Sequence, residues 1–476
     1  MKRRRPIVPP QTRTKDRAIS PGLLKRIQPD AAGLDCGATS HYVAVPPDRD
    51  PEPVREFGTS TGGLHALADW LVKCGIKTVA MESTGVYWIP VHEILEERGL
   101  EVVLVNAHHV HNVRGRKTDV QDCQWLQELH SVGLLHASFR PAAEIVVLRN
   151  YVRHRQNLVE ATATCINRMQ KALTQMNLKL HHVLSDITGV TGLAIVRDIL
   201  AGVRDPHKLA AHRHGGCKAS ELEIIAALTG NYRAEHLFAL RQNFEGFEFH
   251  LRQIADCDQA IEVQLTNLAQ TRQPPAQALP AAKPRPKPSK NEPRVELREP
   301  LHRITGGADL SQIDGIGPYG ALQLIAEIGT DMSRWRTEKH FTGWLTLAPN
   351  NKISGKRLLS SRTQPSANRA AAVLRRAAMS LARSSTALGA YYRRLAARLG
   401  PSKAITATAR KLAILVYRVL RGELAYQDPG ASAYLEFHRT RVINSLRRRA
   451  KELGLSLINL QTGEVLDRAM VPSAVS

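Results

Sequence analysis

The chain has 476 residues, with 66 Lys and Arg against 43 Asp and Glu, a formal net charge of +23. That excess points to a polyanionic partner, nucleic acid first and an acidic membrane surface second. No apolar run approaches the roughly 20 residues that span a bilayer, and an aromatic content of 5% disfavours the single-strand binders that stack bases on rings.

Residues 1–27, opening MKRRRPIVPPQTRTKDR, are basic and lack the apolar stretch of a secretory signal, which predicts a disordered, solvated arm. Residues 28–142 alternate β-like runs (AAGLDCG, SHYVAVPP, KTVAMES, EVVLVN) with amphipathic helical ones (GLHALADWLVKCG, WIPVHEILEERG, TDVQDCQWLQELHSVG), the pattern of an α/β domain. Residues 143–270 carry apolar positions at helical spacing. LRNYVRHRQNLVEATATCINRMQKALTQMNLKL reads as one long helix of a coiled coil, an oligomerisation region. Residues 271–300 hold eight prolines among Lys and Arg and form a stiff cationic linker. Residues 301–430 are mostly helical, and residues 431–476 are a basic helix and a tail. Six scattered cysteines without a C-x-x-C pair argue against a zinc site and a disulfide framework, and fit a reducing cytoplasm.

Four acids stand out. Asp35 and Glu82 end apolar runs, where converging strand ends can gather carboxylates at one sheet edge. Asp119 and Asp122, three apart in a helical stretch, project from one helix face. Each alone reads as a cap or a first-turn residue. Together, in the order strand-Asp, strand-Glu, helix Asp-x-x-Asp, they would repel one another unless Mg²⁺ or Mn²⁺ sat between them, and such ions can clamp a scissile phosphate. Further on, LSQIDGIGPYGALQLIAEIG resembles a helix-hairpin-helix, with Gly315 and Gly317 in a turn whose N–H groups approach a phosphate. His108, His109 and His111, like His212 and His214, lack partner ligands at metal spacing and read as phosphate contacts or plain surface.

GLDCG, MESTGVYW and GRKTDVQDCQWLQELHSVGLL resemble the DEDD transposases of the insertion-sequence 110 family, and the likeness continues through RHRQNLVEA and GNYRAEHLFALRQ over most of residues 28–430. The resemblance implies an RNase H-like (RuvC-type) first domain whose metal-binding acids are Asp35, Glu82, Asp119 and Asp122. In a second block, the P-x-x-x-x-S-G run beginning at Pro349 matches the one in which the family's serine attacks DNA, here Ser354. Lys352, Lys356, Arg357 and Arg362 would neutralise phosphate charge around it. Many relatives have a further glycine where this chain has Lys356, and Ser360, Ser361 and Ser366 lie close by. The family also implies donor and target DNA, a structured guide RNA encoded by the element, a dimer or tetramer with sites completed in trans, and a prokaryotic cytoplasm or nucleoid without a membrane partner. Two rivals use the same residues differently: a metal-dependent junction nuclease with water as nucleophile, and a non-catalytic nucleic-acid-binding protein.

Overall fold

Short apolar runs punctuated by Gly, Pro and charge become the strands of an N-terminal sheet, and longer runs of helical period become the helices that follow. The computed structural model describes residues 25–83, 85–106, 118–284, 289–463 and 465–466. Most of the basic arm, the His108–His111 tract, the middle of the proline-rich linker and the end of the tail lie outside the described residues. Two units separate, Met1–Arg140 and Pro141–Ser476.

The first unit is a five-stranded mixed sheet in the order β3-β2-β1-β4-β5. β1 (Ala31–Cys36), β2 (Ser40–Ala44) and β3 (Val54–Gly58) form an antiparallel meander, β4 (Thr78–Glu82) runs parallel to β1, and β5 (Glu101–Val105) parallel to β4. Parallel neighbours need crossovers, and α1 (Thr61–Lys73) and α2 (Trp88–Glu97) lie within them. Ala32, Leu34 and Cys36 alternate onto the face of β1 that packs with Leu67, Leu71 and Leu95 of these helices. α3 (Asp119–Ser131) covers the opposite face. Its approach depends on Gly33, where a Cβ would collide with the Cys123 carbonyl oxygen and the Gln127 amide nitrogen. Gln127 then donates from Nε2 to the Ala31 carbonyl at 3.3 Å, which pins the helix to the strand.

The second unit is mostly helical. α4 (Ala143–Gln175) bears the predicted long apolar stripe, and its partner comes later in the same chain. Between the two, α5 (Leu180–Val183), α6 (Val190–Ala201), α7 (Pro206–Ala210) and α8 (Glu221–Leu228) close over Met169, Ala172 and Leu173 in one apolar core. α9 (Ala234–Gln270) returns antiparallel along α4: Gln264 reaches the Glu144 carbonyl, Asp258 meets Arg155, and Gly246 abuts Cys165. The proline-rich stretch after α9 is tied down at Lys283, bonded to Asp314, and at Asn291, whose carbonyl accepts from Arg155.

Next come α10 (Arg298–Ile304), α11 (Pro318–Ile328), α12 (Glu338–Trp344) and a two-stranded hairpin of β6 (Lys352–Ser354) and β7 (Arg357–Ser360). α13 (Arg369–Ser380), α14 (Ala387–Leu399), α15 (Pro401–Leu420) and α16 (Gly430–Glu452) complete the unit. α11 is bound to α4 by charge. Arg153 grips the Glu327 carboxylate with Nε and Nη2 at 2.8 and 2.7 Å, while Arg149 donates to the Ala326 and Glu327 carbonyls at the helix C-terminus, where cations are favoured. Among the described residues no helix is long and apolar enough to cross a membrane.

Candidate active site

β1 and β4 pair in the register Leu34↔Met81, so the next step along both strands sets Asp35 beside Glu82. Register partners on parallel neighbours share a face, and here it is the Gly33 face that α3 covers. Both carboxylates are half-buried at the C-terminal ends of their strands. α3 begins at the same edge. Thr118 caps it, its Oγ1 accepting from the Gln121 amide at 3.3 Å, and Asp119 and Asp122 occupy the first turn. The helix start thus carries two carboxylates toward a sheet edge that already holds two.

The thiols nearby register this charge. Burial first, then the charges of Asp35 and Glu82, push the Cys36 thiol far above its ordinary value. Burial and the Asp35 charge push Cys123 up to about 12, with Asp122 adding to the effect. Asp35 thus lies within electrostatic reach of both cysteines, Glu82 of Cys36 and Asp122 of Cys123. Sequence reasoning missed two residues in this row. Tyr42 is the cross-strand partner of Asp35, and Glu56 is the partner of Tyr42. The hydrogen bond to Glu56, then burial and the Glu56 and Asp119 charges, hold the Tyr42 phenol above its ordinary value. Pairing of the SHYVAV run with an unrecognised β3 was the signal that could have found them. Among the described residues, no three His, Cys, Asp or Glu side chains close around a common point in a metal-holding group. Asp35, Glu82, Asp119 and Asp122 are all carboxylates, the hard oxygen chemistry that suits Mg²⁺ and Mn²⁺.

Ser354 lies in the second unit, at the end of β6 and opposite Arg357. The two residues between them, Gly355 and Lys356, have φ of +54° and +66°, the left-handed pair of a type I′ hairpin turn. Lys356 therefore holds a conformation that glycine adopts freely. Residues 351–359 are all exposed, so the Ser354 hydroxyl stands in solvent among Lys352, Lys356, Arg357 and Arg362. Two of the rival serines are committed locally: Ser360 Oγ accepts from the Arg362 amide at 3.3 Å and Ser366 Oγ from the Asn368 amide at 3.0 Å.

The Gly315–Gly317 turn precedes α11, with Gly317 as its N-cap and Pro318 as its first residue. The element before it is a single 3₁₀ turn, Leu310–Gln312, where a helix-hairpin-helix needs a full helix. Gly315 has a φ of +85°, and a Cβ there would meet the Ala377 carbonyl at 2.8 Å, so this glycine lets α13 pack closely. Asp314 anchors the turn, accepting from Lys283 at 2.7 Å and from the Tyr426 hydroxyl at 2.8 Å.

Comparison with known families gives this arrangement a context. Residues 32–178, which hold the strand-end and helix-borne acids, match a DEDD-type model described as a transposase. Residues 307–393, which hold the Gly315 turn and the Ser354 hairpin, match the model of the Transposase IS116/IS110/IS902 family. The chain is a transposase, an enzyme that cleaves and joins DNA. No curated protein matches it. It belongs to the IS110 family of transposases.

Proposed function

We propose that this transposase joins DNA through two cooperating groups. The first is a two-metal site of Asp35, Glu82, Asp119 and Asp122 in an RNase H-like (RuvC-type) unit, and the second is Ser354 as nucleophile. The observation that carries the reading is the β1–β4 register, which sets Asp35 next to Glu82 on the face where α3 begins with Asp119 and Asp122. The sheet order β3-β2-β1-β4-β5, an antiparallel meander continued by parallel strands, supports the RNase H-like assignment. The four carboxylates would hold the cations, which when bound supply Lewis-acid stabilisation of the phosphate undergoing substitution.

Ser354 Oγ forms a bond to phosphorus as the bond from phosphorus to a deoxyribose oxygen breaks. The hydroxyl proton leaves Ser354, and the departing oxygen takes up a proton. Lys352, Lys356, Arg357 and Arg362 hold the phosphate by charge, and the main-chain N–H groups at Gly315 and Gly317, ahead of the α11 N-terminus, contact a neighbouring phosphate. An RNA encoded by the element guides donor and target DNA, and protomers assemble so that one subunit's serine serves another's acids. The net charge of +23 supports a protein that holds both nucleic acids.

Element-end DNA incubated with Mg²⁺ should trap a covalent protein–DNA adduct that disappears in both Ser354→Ala and Asp119→Ala. Cleavage that survives Ser354→Ala but not Asp119→Ala would assign a nuclease that uses water. A discrete RNA copurifying with the protein supports guidance, and its absence counts against it.

A further inference from the structure

Residues 339–422 contain 17 Lys and Arg and not one Asp or Glu, in a chain that has 43 acids elsewhere. Whole-chain composition hides this stretch. Among the described residues, Arg421 alone of the 17 forms an ion pair, with Glu423. By contrast, Arg149, Arg153 and Arg155 earlier in the same unit are all matched to carboxylates.

The unmatched cations concentrate where α14, α15 and α16 meet. Arg394 lies over the rings of Tyr391 and Tyr434, 5.7 and 5.9 Å from their centroids, and donates from Nε to the Tyr434 hydroxyl at 2.8 Å. The Tyr434 ring stacks in turn near His438, at 6.4 Å and 29°. Burial and the charges of Arg394, Arg441 and Arg398 together hold the His438 imidazole below its ordinary value, and Arg410 acts on Tyr391 from α15. Arg410 also keeps a buried Nε without a hydrogen-bond partner. Four guanidiniums from three helices thus surround one aromatic cluster with no described carboxylate answering them. Like charges at close range destabilise the fold that gathers them, and an external polyanion would relieve that repulsion.

We propose that α14, α15 and α16 form a second phosphate-binding face, separate from the Ser354 hairpin, that holds the backbone of duplex DNA. Guanidinium groups suit phosphate through their planar, forked donors. Lys403, Arg410, Lys411 and Arg418 extend the face along one side of α15, over 15 residues or about 22 Å of helix. A duplex presents a charge about every 1.7 Å of axis, so a face of this length meets many phosphates. The matched segment ends at residue 393, within α14, and α16 begins at Gly430, where the resemblance ends. The proposal rests on DNA as the substrate, not on Ser354 as the nucleophile.

Binding of the full chain to duplex DNA of unrelated sequence, followed by fluorescence anisotropy between about 50 and 200 mM salt, tests it. Arg398 and Arg441 are both exposed, so Arg398→Gln/Arg441→Gln should fold with a melting temperature equal to or above wild type. The double variant should reduce the slope of log affinity against log salt by about 2, close to one per lost phosphate contact. Arg398→Lys/Arg441→Lys should restore the slope, and at saturating DNA the Gln variant should still form the serine adduct. An unchanged slope overturns the proposal, as does loss of the adduct at saturating DNA. A loss confined to duplex RNA or to acidic lipid vesicles, with DNA unaffected, also overturns it. Ser354→Ala should leave the slope intact, so failure of the nucleophile assignment is read separately.

Discussion

Arg155 and Asp258 are buried against each other, Nε to Oδ1 at 2.5 Å, with the side chains 1% and 12% exposed. The remaining donors of Arg155 are also used: Nη1 reaches the Asn291 carbonyl at 2.8 Å and the Tyr319 hydroxyl at 3.2 Å, with the Tyr319 ring 5.1 Å from the guanidinium carbon. One guanidinium therefore joins α4, α9, the proline-rich segment and α11.

Removing its counter-charge should cost more than removing an ordinary contact. Asp258→Ala leaves a buried cation unpaired, and a loss of about 3–5 kcal/mol is expected in urea unfolding. The double change Asp258→Leu/Arg155→Met should recover part of that loss, because it removes the stranded charge along with the pair. A loss for Asp258→Ala below about 1 kcal/mol, the level of an exposed pair, would show that the site is wetter than its burial implies.

Gly33 sets how closely α3 can approach β1. Gly33→Ala should cost about 1–3 kcal/mol through overpacking, and, under the proposed two-metal reading, it should lower DNA cleavage because α3 carries Asp119 and Asp122. Gly62→Ala, where a Cβ meets nothing within 4 Å, is the matched control and should retain cleavage.

Lys356 holds a left-handed turn at a cost of about 1–2 kcal/mol. Lys356→Gly should relieve that strain, visible as slower amide exchange across residues 352–360. Lys356→Ala loses the same charge yet keeps the strained φ, so exchange there should stay near wild type.

Acid sensitivity should arise at His130. Burial lowers its imidazole to about 4 from an ordinary 6.5, and the ring nitrogen sits 2.9 Å from Thr78 Oγ1. The unfolded chain therefore takes up the proton first as pH falls. This contribution is fully present above about 6.5 and is lost as pH drops toward 4, by up to about 3 kcal/mol. Urea unfolding at pH 7 and pH 5 should show the loss, and His130→Asn should flatten that dependence.

Much of the first unit was legible because its strands are apolar runs bounded by turns. β1, β2, β4 and β5 fall on the four predicted segments. β3 escaped because VREFG sits at the sheet edge, half-exposed and interrupted by charge, so no face of it carries an apolar signature. The exposed hairpin at Ser354 escaped for a similar reason, compounded by Lys356 standing where glycine would have announced the turn. The positions of the acids on strand ends and on a helix start could be read directly. That Asp35 and Glu82 share a sheet face could not, since that depends on pairing between strands 47 residues apart, as for Leu34 and Met81. The long helix was visible, but its partner was not, because an apolar stripe does not say whether it meets its own chain or another copy.

That partner sets a length. Arg149 and Arg153 fix α11 near the start of α4, while Leu173 near its end lies in the core closed by α5–α8. The 20 residues from Arg153 to Leu173, stiffened by α9 along their course, make a strut of about 30 Å. The α11 assembly and the small apolar cap are thus held apart by a fixed ruler, nearly one turn of B-DNA, roughly 34–36 Å. A duplex laid along this strut would run through nearly one helical turn between its two ends.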